Sequence, residues 1–392
     1  MSRPLPTLLV IPTGIGCAIG GYAGDALPAA RLLAAASGCL ITHPNALNAA
    51  ALYWSDPRIH YVEGWGLNRF AAGDLALAPV AAQRVGLLLD AGIEQDLRLR
   101  HLQAAEACRA SLGLSIGPVL STDVPLDVTL SLAASGASSG GLGRPDALIR
   151  AGERLKRAGA TAIAVVARFP DDPGSAALAS YRQGSGVDAL AGAEAVISHL
   201  LSHQLGLPCA HAPALASLPL DPRLDPLAAA EELGHTFLPC VLVGLSRAPD
   251  LIPLGPLASQ LFPVGPQPLM DHLGESLIHP SRIGAVVAPA GALGGEAVLA
   301  CAERSIPLIA VEGNQSVLKV SAEDLGLRAI AAASYAEAAG MVLALREGLQ
   351  PDALRRPLPS LEQLSADRPS DGGSASPGPW PLRDGTRPHP PC

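Results

Sequence analysis

The chain is poor in aromatics, in lysine and in paired cysteines. Phe, Tyr and Trp make up 3% of 392 residues, and lysine occurs only at Lys156 and Lys319. No Lys/Arg-rich block stands out and the net charge is −8. A nucleic-acid surface, which needs basic clusters and stacking rings, is therefore not expected. The seven cysteines (17, 39, 108, 209, 240, 301 and 392) are scattered, odd in number and without a CxxC pair. That argues against a disulfide framework and a structural zinc site. Charged residues are only 16% against 49% hydrophobic, far from the profile of a disordered chain. No uncharged apolar run reaches the roughly 18–20 residues that span a bilayer.

The N-terminus imitates a signal peptide: Arg3, then TLLVIPTGIGCAIGGYAG. Pro12, Gly14, Gly16, Gly20 and Gly21 make it a poor helical segment. AASGC, ending at Cys39, has a lipobox-like look, but Asp25 and Arg31 would lie inside its signal. Export is set aside and a cytoplasmic protein with no membrane partner is expected.

What the chain does have is short apolar runs alternating with helical patterns. Leu8–Pro12, Gly38–Thr42, Ile59–Val62, Val85–Asp90, Pro118–Ser121, Leu126–Ala134, Thr161–Ala167, Phe237–Leu245, Ile283–Ala288, Pro307–Val311 and Val317–Val320 read as strands. Helices are expected near Ala26–Ala36, His43–Tyr53, Glu94–Leu112, Pro145–Ala158, Asp188–Leu205, Gly294–Arg304 and Tyr335–Arg346. The alternation predicts an α/β fold: mostly parallel sheets with crossover helices, in Rossmann-like units. Residues 168–186 and 135–143 read as loops, and the Pro-rich 207–226 as an extended connection. We expect an N-terminal unit over 1–160 and a C-terminal unit over 161–354, or one intertwined domain. A disordered tail is expected over 355–392, where Pro, Ser, Gly and charge dominate.

The sharpest motif is PTGIGCAIGGYAGDA, residues 12–26. Its glycines expose backbone amides ahead of a helix start, which suits a phosphate or carboxylate. The spacing matches neither the dinucleotide fingerprint nor the P-loop. Thr13, Gly14, Gly16, Gly20, Gly21 and Asp25 are the expected anion contacts, with Asp25 also placed to cap the helix. A second loop, VAPAGALGGEAV, brings Gly294 and Gly295, and Asn314 follows the next strand. At strand ends stand His43 with Asn45 and Asn48, Glu63 and Asp90. His43, Glu63 and Asp90 are candidate acid–base groups and Asn45 a ligand contact. His211 is a weaker catalytic candidate. His199 and His203, four apart on a helix, suggest a metal pair, but without an HExxH none is assigned. GASSG places Ser138 between a strand and a helix, a serine-hydrolase alternative.

The strings IPTGIGCAIGGYAGDALPAARLLA, LITHPNALNAAALYW, YVEGWGLNRFAAG, DALAGAEAVISHL and ELGHTFLPCVLVGLSRAP resemble an uncharacterised cyanobacterial and plastid family of unknown function. The resemblance runs from about Leu8 to Gly348. It implies a cyanobacterial cytoplasm or plastid stroma and brings no catalytic residues with it. The expected function is an enzyme on a small anionic metabolite; the alternative is a non-catalytic ligand-binding or assembly factor. No cofactor is implied, and homo-oligomer formation is left open.

Overall fold

The structure, a computed structural model, describes residues 3–20, 24–171, 174–232, 237–256, 277–358 and 360. Numbering strands along the chain, one sheet is built from β1 (Thr7–Leu9), β2 (Leu40–Thr42), β3 (Ile59–Tyr61), β12 (Ala285–Pro289), β13 (Leu308–Val311) and β14 (Ile330–Ala332). Its order is β3-β2-β1-β12-β13-β14, with every neighbouring pair parallel. That is the doubly wound, Rossmann-like order, reversing direction between β1 and β12. A second sheet, also parallel, runs β10 (Cys209–Ala214), β9 (Ala162–Arg168), β5 (Val85–Leu89), β6 (Ile116–Ser121). β1, β2, β5, β12 and β13 are buried along their whole length. A parallel sheet covered on both faces requires this, and it is why these strands read as continuous apolar runs.

The helices are α1 (Leu27–Ser37), α2 (Pro44–Ala51), α3 (Gly64–Ala72), α4 (Gln95–Leu112), α5 (Pro145–Arg157), α6 (Ala176–Arg182), α7 (Ala191–Leu205), α8 (Pro226–Glu232), α9 (Phe237–Leu245), α10 (Glu296–Glu303) and α11 (Tyr335–Arg346). Two antiparallel pairs complete the fold: β4 (Leu75–Ala78) with β11 (Asp250–Pro253), and β7 (Val128–Leu132) with β8 (Ser138–Leu142).

Several expectations need correction. Phe237–Leu245 is a helix, not a strand. A nine-residue apolar run has no period to distinguish the two, and here it is buried against α2, α4 and β10. The connection expected over 207–226 contains β10, which tolerates Pro213 because it is an edge strand. The Gly/Ser loop at 135–143 forms β8 of a hairpin, and 168–186 holds α6. Val317–Val320 is not a strand; Val320 makes an isolated bridge to Ala292, in the loop after β12. Residue 160 lies between α5 and β9, inside the second sheet's stretch, whereas the first sheet draws strands from both ends of the chain. Of the tail expected over 355–392, residues 359 and 361–392 lie outside the described residues; a 3-10 turn at Pro351–Leu354 precedes it.

The segment after β13 closes the crevice at the β1/β12 reversal. Ala18 donates to Gln315 O at 2.8 Å, and Val317 and Leu318 donate to the carbonyls of Gly16 and Ile15, both at 3.1 Å. Asn314, 1% exposed, accepts from Ile19 N at 2.9 Å and donates to Ile19 O at 3.0 Å and to the Tyr335 hydroxyl at 2.8 Å. On the other flank Val320 donates to Gly291 O at 2.7 Å. One loop thus seals both glycine-rich bends. Asn314→Leu should destabilise the fold by about 2–4 kcal/mol, since the partners lose their bonds without regaining water. Urea denaturation measures this; an unshifted midpoint would show that the clasp contributes nothing.

Candidate functional site

The open space lies one step away, beyond the carboxyl ends of β1, β2 and β3, where they face α7, β10 and α9. A cavity of about 90 Å³ is lined there by Thr13, His43, Asn45, Asn48 and Glu63 from the first-sheet side. Glu194, Ser198 and His199 of α7, His211 of β10 and Phe237 of α9 close it from the other. With ~10–15 Å³ sufficient for one water, the space suits a small organic molecule. A second cavity of about 100 Å³ shares Pro213 and Phe237 with the first and is bordered by Arg100.

Glu63 is the N-cap of α3. Its Oε2 accepts from Trp65 N at 2.9 Å, a contact that favours the ionised form, as does the helix N-terminus. Burial opposes this and wins, raising its pKa from 4.5 to about 7. Oε1 is buried without a hydrogen-bond partner; His199 Nε2 stands 3.2 Å away but off the line of a bond. The imidazole comes this close because residue 64 is glycine: a Cβ there would lie 2.3 Å from His199 Nε2. Burial, then the neighbouring His211, lowers the His199 pKa to about 4.

His43 Nε2 accepts from Ile11 N at 3.0 Å, which puts its ring proton on Nδ1. Burial, with His199 adding to it, holds its pKa near 4, so the ring is neutral. Asn48 Oδ1 accepts from the Tyr61 hydroxyl at 2.9 Å, leaving the amide NH2 as its donor. His211 Nδ1 lies 3.0 Å from Ser198 Oγ, and its Nε2 lies 3.5 Å from Glu194 Oε2. Asp188, just ahead of α7, has its pKa raised by burial and by the charge of Glu194.

Of the residues expected from sequence, Thr13, His43, Asn45, Glu63 and His211 come together here. The others do not. Asp90 is 1% exposed and spends both oxygens on backbone amides: Oδ1 on Gly92 and Leu126, Oδ2 on Arg168. It closes the reversal point of the second sheet, its carboxylate committed to three backbone amides. The glycine bend is packed shut. Gly14 O accepts from Ser138 N, and a Cβ on Gly16 (φ +72°) would lie 2.5 Å from Gly186 O. The Gly20 amide donates to Asp25, so Asp25 braces the bend; α1 is capped at Ala26 with no side-chain bond. Gly21 lies outside the described residues. Gly294 faces Val320, Gly295 caps α10 and Asn314 belongs to the clasp. Ser138 sits in β8; its hydroxyl donates to Ala189 O and accepts from Gly192 N, both at 3.0 Å, which removes it as a nucleophile.

The sequence offers no expectation for Glu194 or Ser198, and it groups His199 with His203 and His211; His203 instead packs on Trp65. A signal existed. Glu194, Ser198 and Ser202 recur every four residues, a polar stripe on a helix whose other residues are mostly apolar. Among the described residues no group of three or more His, Cys, Asp or Glu is arranged to hold a metal.

Gly64→Ala should push the His199 ring away from Glu63 and into water. Its titration, followed by NMR, should then move from about 4 toward the ordinary 6.5. An unchanged midpoint would show that the glycine does not set the approach.

No described helix is long and apolar enough to cross a membrane. A protein of Synechococcus sp. called an uncharacterized lipoprotein is 53% identical over 354 residues, covering 90% of this chain and 94% of the relative. Residues 6–355 match the family described as protein of unknown function (DUF3326). With nearly the whole folded chain matched, the protein belongs to the DUF3326 family.

Proposed function

We propose that the protein is an enzyme that transfers protons on a small polar metabolite held in the cavity at the ends of β1–β3. The observation that carries this is the Glu63 carboxyl: buried, its Oε1 without a hydrogen bond, 3.2 Å from an imidazole nitrogen. An unpaired buried carboxylate oxygen is costly in a merely structural role. A carboxyl poised near 7 is suited to take and return a proton at neutral pH.

In this reading Glu63 accepts a proton from a substrate X–H group. The proton passes from Oε1 to His199 Nε2, whose side chain is 41% exposed against 4% for Glu63, and on to water. His43, with its proton on Nδ1, donates a hydrogen bond to the substrate, and Asn48 offers its NH2. The ligand's expected negative charge loses support: among the described residues no Lys or Arg lines the cavity, and the glycine bend is occupied by the protein itself. The small-metabolite part of the expectation stays; the anionic part does not.

The same reading keeps the chain in the cytoplasm. Cys39 is 7% exposed at the entrance to β2, and its carbonyl accepts from Thr7 N. Lipid attachment there, with cleavage ahead of it, would remove β1 and α1 from the fold.

Two outcomes test the role of Glu63. In D2O, wild-type protein mixed with a metabolite extract should label at least one small molecule, as read by mass spectrometry. Glu63→Gln should slow that labelling by ~10²-fold or more; a variant exchanging at the wild-type rate would reject the role. The second outcome concerns stability. Because the folded pKa is raised, the group's contribution is fully present below 4.5 and is lost as pH rises toward about 7. Glu63→Gln should therefore be more stable than wild type at pH 8, with the gain level down to about pH 7 and then shrinking by ~1.4 kcal/mol per pH unit to pH 5. A pH-independent difference would contradict the raised pKa.

A further inference from the structure

The groups that line the cavity are unbalanced in charge. Glu63 and Glu194 carry carboxyls, Asp188 stands next to Glu194, and no Lys or Arg is among the described residues of the lining. Two of the three histidines in the lining do not redress this, since burial keeps His43 and His199 neutral down to about 4; the third, His211, stands 3.5 Å from Glu194 and leaves Glu63 to be answered. Glu63, only 5% exposed, is the independent sign of a missing partner: its Oε1 makes no hydrogen bond among the described residues, although His199 Nε2 lies 3.2 Å away and the Ser202 hydroxyl is near enough to favour the ionised form.

We infer that the cavity binds a small primary ammonium group, held by the carboxylates of Glu63 and Glu194, so that the substrate is an amine. The inference rests on the acid–base reading for which carboxyl matters, and it adds the chemical class of the ligand. A primary ammonium brings three N–H donors, which answers several acceptors at once. A quaternary ammonium fits worse, since among the described residues Phe237 alone of Phe, Tyr and Trp lines the cavity, too few for an aromatic cage. A divalent metal fits worse too, for want of three converging ligands among the described residues. Supplying a positive charge beside Glu63 favours its ionised form, so binding should expel a proton.

The other titratable groups around Glu63 are His199 of α7, His211 and Cys209 of β10, Tyr61 of β3, and His43 at the start of α2. Asp188 and Glu194 face His211 from the far side.

The full chain at pH 7 is titrated with propylamine and 1,3-diaminopropane, using propanol, propionate, tetramethylammonium and KCl as controls. At tens of millimolar, the amines should raise Tm by about 2 °C or more and the controls should not. Calorimetry in phosphate and in MOPS, neither of which carries a primary amine, should show about half a proton released per amine bound, because a group with pKa near 7 is half protonated there. Glu63→Gln should abolish that release, and Glu194→Gln should weaken binding ~10-fold while leaving the release intact. Asp188→Asn should also leave it intact, which assigns the proton to Glu63.

The inference is overturned by silence with both amines, by propionate or propanol stabilising as well as propylamine, by KCl matching the amines, or by equal amine binding in Glu63→Gln. Its failure is separable from that of the acid–base reading. If Glu63→Gln loses deuterium exchange while no amine binds, proton transfer stands and the ammonium falls. If amines bind through Glu63 but nothing is exchanged, the site stands as an amine receptor.

Discussion

The two-way bond between Asn314 and the backbone of Ile19 is the constraint from which the rest of the architecture follows. In a doubly wound sheet, the natural crevice for a ligand is where strand order reverses, here between β1 and β12. That crevice is filled from within by residues 314–320, which meet both glycine-rich bends edge to edge. The second sheet closes its own reversal point in a similar way, with Asp90 accepting from the first residues of the segments around it. With both sites sealed, the space that remains is at the margin, where the ends of β1–β3 meet α7 and β10.

At that margin the governing quantity is desolvation. Glu63 is held ready to ionise by a helix start and a backbone amide, yet burial outweighs both. His43 and His199 are driven the opposite way by the same cause. Acid and imidazole are therefore both driven toward neutrality, and the proton they share rests on Glu63, with transfer to the ring uphill by ~4 kcal/mol. Gly64 makes the pair possible by leaving room for the ring.

The sequence displayed the fold class well, because a parallel sheet buried on both faces writes itself as short apolar runs between amphipathic helices. Tyr335–Arg346 was legible to the residue, since Ser334 caps it and Glu337 opens its first turn. Phe237–Leu245 was not, because full burial erases the period that tells helix from strand. Within the site, the strand-end residues His43 and Glu63 were readable from position alone. The partners of Glu63 were not, since His199 and Glu194 belong to a helix some 130 residues further along, and their direction depends on how two sheets meet. The glycine bend misled for a physical reason: the same backbone freedom that lets an anion approach also lets another loop approach, and sequence cannot say which arrives.

One feature of the connectivity bears on how the molecule is made. β1 pairs with β12, so Thr7 waits for Ala285 while the entire second sheet is synthesised between them. During that interval β1 offers a bare edge at what becomes the middle of a sheet, and the second unit can fold first while the halves of the first remain unjoined. Closure over so long an intervening chain is slow and leaves apolar edges open to wrong partners. Nascent chains of this protein should thus depend on the cell's holding machinery more than their finished, smoothly buried sheets would suggest.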